Sequence, residues 1–160
     1  MYLNKIKITI SFFLILLVIL INNSVFAEII KPNNGIEPLQ VVKIQLKSLK
    51  NNNKKFTDYG IEQTWAFAHP DNQRYTGPLE KFKIMLKGKA YSMLLNHKEH
   101  NIREVFLSED VATFEVIILN TDKEYFKFKW QVEKFKKDGP LKDCWLTTAV
   151  SSPISMGSSI

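Results

Sequence analysis

Residues 125–133 read Tyr-Phe-Lys-Phe-Lys-Trp-Gln-Val-Glu, and their alternation decides the fold. Phe126, Phe128, Trp130 and Val132 fall on one side of an extended chain. Tyr125, Lys127, Lys129, Gln131 and Glu133 fall on the other. A period of two with one apolar and one wet face is an antiparallel strand covered on one side only. The flanking sequence repeats the theme. Segments 102–107 and 111–119 are apolar enough for strands and are joined by a Ser108-Glu109-Asp110 turn. Asn120-Thr121-Asp122-Lys123 supplies a second hairpin loop. Lys137-Asp138-Gly139-Pro140 turns the chain again, and 144–150 is the last expected strand. The small, polar tail over 151–160 is expected to be loose.

Upstream of these strands the period changes from two to that of a helix. Pro38 opens a helix at a position where its missing N–H costs nothing. Leu39, Val42, Leu46 and Leu49 form one apolar stripe. Val41 and Ile44 lie off that stripe, so this helix is expected to be covered on two sides. Asn51-Asn52-Asn53 ends it. A second helix is predicted from Thr57 or Asp58, either able to cap it, to about Phe67, with Pro70 as its stop. A third starts at Thr76-Gly77-Pro78, with Gly77 as cap and Phe82, Met85 and Leu86 as its apolar face, and Gly88 ends it. Three helices followed by an antiparallel meander, with helices on one face of the sheet, define the α+β class. A cone-shaped architecture of this order wraps a curved sheet around its helices.

The chain has 160 residues, enough for one domain. Its first part differs from the rest. Lys5 and Lys7 precede an apolar run of ten residues over 12–21, then a polar break at Asn22-Asn23-Ser24 and Val25-Phe26-Ala27. These are the three parts of a signal peptide, so 1–27 is read as an export signal cut after Ala27, with an uncleaved N-terminal anchor as the alternative, and 28–150 as a single domain. The run is short for a membrane span. The protein is therefore expected to be periplasmic or secreted, with no membrane partner after cleavage. Without Lys5 and Lys7, 20 of the 22 basic residues remain against 16 acidic ones, a formal charge of +4. That mild surplus does not call for nucleic acid, whose binding would also want exposed aromatics among the lysines. The lysines near the end of the first helix (Lys43, Lys47, Lys50, Lys54 and Lys55) form a modest basic patch. A single cysteine, Cys144, allows no internal disulfide and is read as a buried small hydrophobe.

The stretch 38–95 carries a more specific pattern. It has Pro38-Leu39-Gln40-Val41-Val42, Gln45-Leu46, Gly60-Ile61, Trp65-Ala66-Phe67-Ala68, Pro70, Asn72 and Thr76-Gly77-Pro78-Leu79. Phe82, Met85, Tyr91 and Leu94-Leu95 follow. This resembles domain-of-unknown-function family 4864, which is similar in turn to the nuclear transport factor 2-like superfamily. His69 departs from the pattern, where a small residue is expected. The resemblance implies the cone fold with an interior pocket; the family has no established activity to imply.

Enzymes of that superfamily place an acid, a His or a Tyr inside the cone. Here the side chains expected inside are Phe114, Val116 and Ile118, then Phe126, Phe128, Trp130 and Val132, then Trp145, Thr147 and Ala149, none titratable. Trp65, His69, Asn72, Tyr91 and Trp130 are the candidate pocket or loop residues. His69 and Asp71 together suggest a base and its orienter, whereas Pro70 and Asn72 suggest a structural loop. His97, Glu99 and His100 lie within four residues, but zinc takes three or four ligands, no fourth partner is evident and the only cysteine is far along the chain, so a solvated turn is the reading and no metal is expected. No phosphate-cradling glycine loop, nucleophile elbow or paired-cysteine site is present, and no cofactor is expected. The reading is a non-catalytic domain for an apolar ligand or a protein partner, with no assigned catalytic residue. The alternative is a small pocket enzyme, a lyase, isomerase or hydrolase, using His69 or Tyr91. The outer sheet face, around Tyr125 and Phe135, also admits a homodimer.

Overall fold

A computed structural model of the chain describes residues 28–158. The export signal read over 1–27 lies outside the described residues. What is described is an α+β domain in which all the helices precede one antiparallel sheet.

Helix α1 (Pro38–Lys50) begins on its proline and is buried on most of its circumference. Val41, Val42, Leu46 and Leu49 are fully buried, and Ile44 nearly so. Only Gln40, Lys43, Lys47 and Lys50 are exposed on it, as expected of a helix with two covered sides. Helix α2 (Tyr59–Ala66) crosses α1 at Gly60. A Cβ there would lie 2.2 Å from the Ser48 carbonyl oxygen, so only glycine permits this approach.

The start of α2 differs from expectation. Asp58 sits at the cap position but is left-handed, with φ 66°, and its side chain makes no capping bond. Asn52 does the capping instead. Its Oδ1 accepts from Ile61 N–H at 3.1 Å, and its carbonyl accepts from Gly60 N–H at 3.1 Å. The Asp58 carboxylate is turned to Lys87, 2.7 Å away.

The segment expected as a loop after Pro70 is helix α3 (Pro70–Thr76). Pro70 both ends the preceding turn and occupies the first position of α3, where it has no N–H to lose. None of the α3 residues is buried, so apolar periodicity gives no sign of this helix. Gly77, at φ +86°, ends α3 and does not cap the next helix. Helix α4 (Leu79–Lys87) starts after Pro78 and buries Phe82 and Leu86.

The strands are β1 (Glu99–Leu107), β2 (Val111–Leu119), β3 (Glu124–Lys134), β4 (Trp145–Val150) and β5 (Ile154–Ser158). The sheet order is β1-β2-β3-β4. Phe126 to Val132 alternate as the sequence reads, with Phe128, Trp130 and Val132 buried beneath the helices and Phe126 partly so. Ala112, Phe114, Val116 and Ile118 continue that face on β2.

Two expectations fail here. Ala149 is exposed and opposite Gln131 on the outer row, because the register shifts between Gln131 and Val132. An extra residue on one strand inverts the side-chain alternation beyond it, so Val150 takes the inner position opposite Trp130. The tail is not loose from Ser151. Ser151 exchanges bonds with Lys129 through its backbone N–H and its Oγ, and β5 then pairs with Glu124–Lys127 of β3. Strands β4 and β5 thus lie end to end along one edge of β3. The free side of β4 is met by the segment after α2: Thr147 N–H donates to the Phe67 carbonyl and His69 N–H to the Thr147 carbonyl, both at 2.8 Å.

Candidate functional site

Between the helices and the β3–β4 half of the sheet lies a cavity of about 240 Å³. Leu49, Phe82, Met85, Leu86, Leu94 and Val150 give it apolar walls. One end is polar. The Trp130 indole N–H donates to Gln45 Oε1 at 3.0 Å, and the Thr147 hydroxyl donates to the same oxygen at 2.7 Å. The Gln45 amide nitrogen donates to the Thr64 carbonyl at 3.1 Å. These partners fix the amide orientation, since an indole N–H can only donate and a carbonyl can only accept. Gln45 has no solvent exposure, so its polar group is held where satisfied hydrogen bonds are required. Tyr75 and Thr76, at the end of α3, complete the lining, and Tyr75 is 92% exposed.

Of the candidate residues, the structure brings Asn72, Tyr91 and Trp130 to this cavity. The Asn72 amide donates to the Thr147 carbonyl at 3.4 Å, tying α3 to β4. The Tyr91 hydroxyl donates to the Val150 carbonyl at 3.4 Å. Trp65 stands behind the wall, its ring 5.0 Å from that of Phe82. His69 is elsewhere: it caps α3, with its ring 5.4 Å from Phe135. His69 Nδ1 accepts from Asp71 N–H at 3.1 Å. A nitrogen that accepts a backbone proton cannot donate to a carboxylate, so Asp71 does not orient this imidazole as a catalytic acid would. The Asp71 carboxylate pairs instead with Arg74.

His97 and His100 bond to each other. His97 Nδ1 lies 2.7 Å from the Leu94 carbonyl and so carries the proton; its Nε2 accepts from His100 Nδ1 at 2.7 Å. Both His97 nitrogens are occupied, leaving no lone pair for a metal. Burial holds the His97 pKa down to about 4, and burial together with the Lys50 charge lowers that of His100. No group of three or more His, Cys, Asp or Glu side chains suited to a metal occurs among the described residues. Cys144 is buried, with its thiol pKa raised by burial and by the neighbouring Asp143 charge.

The polar end of the cavity rests on Gln45 and Thr147. Thr147 is on the inner face that the alternation predicts. Gln45 is marked in the sequence only by its position four residues after Val41 and four before Leu49, a polar side chain between apolar ones along the second covered side of the helix. In comparisons with known proteins, no family model, no curated protein and no solved structure matches this chain.

Proposed function

We propose that this protein is an exported, non-catalytic domain that binds an uncharged apolar ligand in the cavity above Trp130. The observation that carries the reading is the lining: apolar walls, a neutral hydrogen-bonded end at Gln45, Trp130 and Thr147, and no ionised side chain among the described residues that line it. An apolar cavity of about 150 Å³ accommodates benzene. The larger volume of about 240 Å³ therefore suits a one- or two-ring compound or a chain of similar bulk. Membership of domain-of-unknown-function family 4864 and the nuclear transport factor 2-like cone belong to the same proposal. They rest on the residues quoted over 38–95 and on helices that precede and cover one face of an antiparallel sheet. Export rests on the composition of 1–27.

The enzymatic alternative narrows to Tyr91, because His69 does not line the cavity. The Tyr91 hydroxyl donates to a backbone carbonyl, and no carboxylate, imidazole or amine lines the cavity beside it to move a proton. General acid–base work needs such a group within hydrogen-bond reach of the reacting atom.

Thermal unfolding in the presence of neutral one- and two-ring compounds tests the proposal, with the matching carboxylates and amines as comparison. Neutral compounds are expected to raise the melting temperature. Their charged analogues are expected not to, because an ion buried without a partner costs far more than its apolar body gains. Val150→Phe, which fills the cavity, should abolish the shift. Equal stabilisation by the carboxylates, or none by any neutral compound, refutes this reading.

A further inference from the structure

On the side of α1 away from the cavity runs an open channel of about 1260 Å³. Lys43, Lys47 and Lys50 of α1, and Lys54 and Lys55 just beyond it, line the channel, with no carboxylate in the lining among the described residues. All five lysines are exposed, and none is in an ion pair among the described residues. What distinguishes the channel is the convergence of five such lysines on one lining without a carboxylate; Lys83, Lys87, Lys127, Lys136 and Lys142, elsewhere, each pair with an acid.

The opposite wall is strand β1. His100 and Ile102 stand opposite Ile118 and Val116, which belong to the inner row of the sheet; Asn101 stands opposite Ile117 on the outer row. All three β1 residues line the channel, so it follows the strand's edge and not one face. Among the described residues, β1 pairs only with β2, which leaves alternate N–H and C=O groups of its other edge unpaired.

We propose that this channel receives an acidic segment of a partner protein in extended form. The segment adds to β1 as a further strand and sets its carboxylates against the α1 lysines. Backbone bonding to a free sheet edge supplies affinity, and side-chain charge supplies selection. The spacings agree. Lys43 to Lys47 spans about 6 Å along the helix and Lys47 to Lys50 about 4.5 Å. Alternate acids of a strand recur about every 6.7 Å, within reach of flexible lysine stems. The channel is concave, unlike a surface laid on a bilayer. Its aromatic, Tyr59, is buried and has Lys55 Nζ 4.4 Å above its ring, so it offers no platform for stacked bases. This site is separate from the cavity, and each can fail without the other.

The test is fluorescence anisotropy of the full chain with a labelled peptide of alternating Glu and Val. Saturable binding is expected. It should weaken at least about tenfold when salt rises from about 0.1 M to about 1 M, which shortens the screening length from about 10 Å to about 3 Å. The triple change Lys43→Gln, Lys47→Gln and Lys50→Gln should weaken it at least about tenfold, while Lys89→Gln leaves it unchanged. Because the three lysines are exposed, circular dichroism should show the fold intact. The same peptide methylated on its backbone nitrogens keeps its charge but loses its strand bonds, and should also bind at least about tenfold more weakly. The proposal is overturned by no binding, by equal binding of the methylated peptide, or by binding indifferent to the three lysines. Tighter binding to phosphatidylglycerol vesicles or to a single-stranded oligonucleotide than to the peptide also overturns it.

Discussion

Gln45 joins the helical layer to the sheet through single atoms. Its Oε1 receives protons from Trp130 and Thr147, and its amide nitrogen reaches Thr64 on α2. Gln45→Leu keeps the bulk and increases the apolar character of a fully buried position. It nevertheless strands an indole N–H, a hydroxyl and a carbonyl, and an unsatisfied buried group costs about 1–3 kcal/mol. Trp130 can fall back on the Thr147 oxygen 3.4 Å away, so the expected loss is about 2–3 kcal/mol, measured by urea unfolding. A neutral or stabilising outcome would show that the polar end is not under this constraint. His97 gives a second residue-scale expectation, in pH. Its folded pKa of about 4 lies below the ordinary 6.5, so between these values the unfolded chain holds a proton that the folded chain refuses. Stability is therefore full above about pH 6.5 and falls as pH drops toward 4, by up to about 3 kcal/mol. Urea unfolding at several pH values should give this slope, and His97→Gln should flatten it. An unchanged slope in the variant assigns the effect to other groups. Single residues of this kind were partly legible: Trp130 and Thr147 follow from strand alternation, whereas Gln45, a polar residue on a helix read only for its apolar positions, was not foreseen. Nor was the His97–His100 bond, because it depends on how the turn after Leu94 folds back.

The helices and strands show where local pattern suffices and where contact decides. Strand β3 and helix α1 could be read because each repeats its period over many residues, and β2 because it is a largely apolar run bounded by turn residues. The short α3 could not, because it buries nothing and so has no apolar period. The register shift in β4 also escaped, since which strand carries an extra residue is settled by pairing with β3 and not by the sequence of β4 alone. Two substitutions probe the element contacts. Gly60→Ala improves helix propensity by about 1 kcal/mol but drives a Cβ against the Ser48 carbonyl. The clash should win, with α1 and α2 forced apart at a net cost of about 1–3 kcal/mol, read as a lower melting temperature. A stabilised variant would mean that α2 can slide along α1 freely. Asn72→Ala removes the tie between α3 and β4. The bond is long, so the expected loss is about 0.5–1 kcal/mol, and an unchanged melting temperature would deny the tethering role.

At the scale of the molecule, the sheet's edges govern how the domain meets other chains. One edge is β1, lined with lysines at one end and carrying exposed Val105, Phe106 and Leu107 at the other. The opposite side is closed in pieces: the Phe67–His69 backbone against β4, and β5 against the first part of β3. All five residues of β5 are exposed, so it adds little apolar burial to the core. Its physical role is to occupy the backbone bonds of β3 near Glu124–Lys127, a segment in which Phe126, like Phe128 just beyond it, belongs to the apolar face. The composition of 151–160 did not announce this, because a strand held by backbone pairing needs no apolar period of its own. A chain ending at Val150 should therefore keep its helices, its cavity and most of its stability. It should also expose a length of unpaired β3, which is a template for pairing with other copies. Light scattering as a function of concentration should show the truncated chain associating at concentrations where the full chain does not. Amide exchange should quicken at Lys127 and Lys129 while Trp130 to Glu133, still paired with β4, remains protected. Fast exchange across the whole of β3 would instead mean that β5 stabilises the core, and monomeric behaviour at every concentration would remove edge protection as its role.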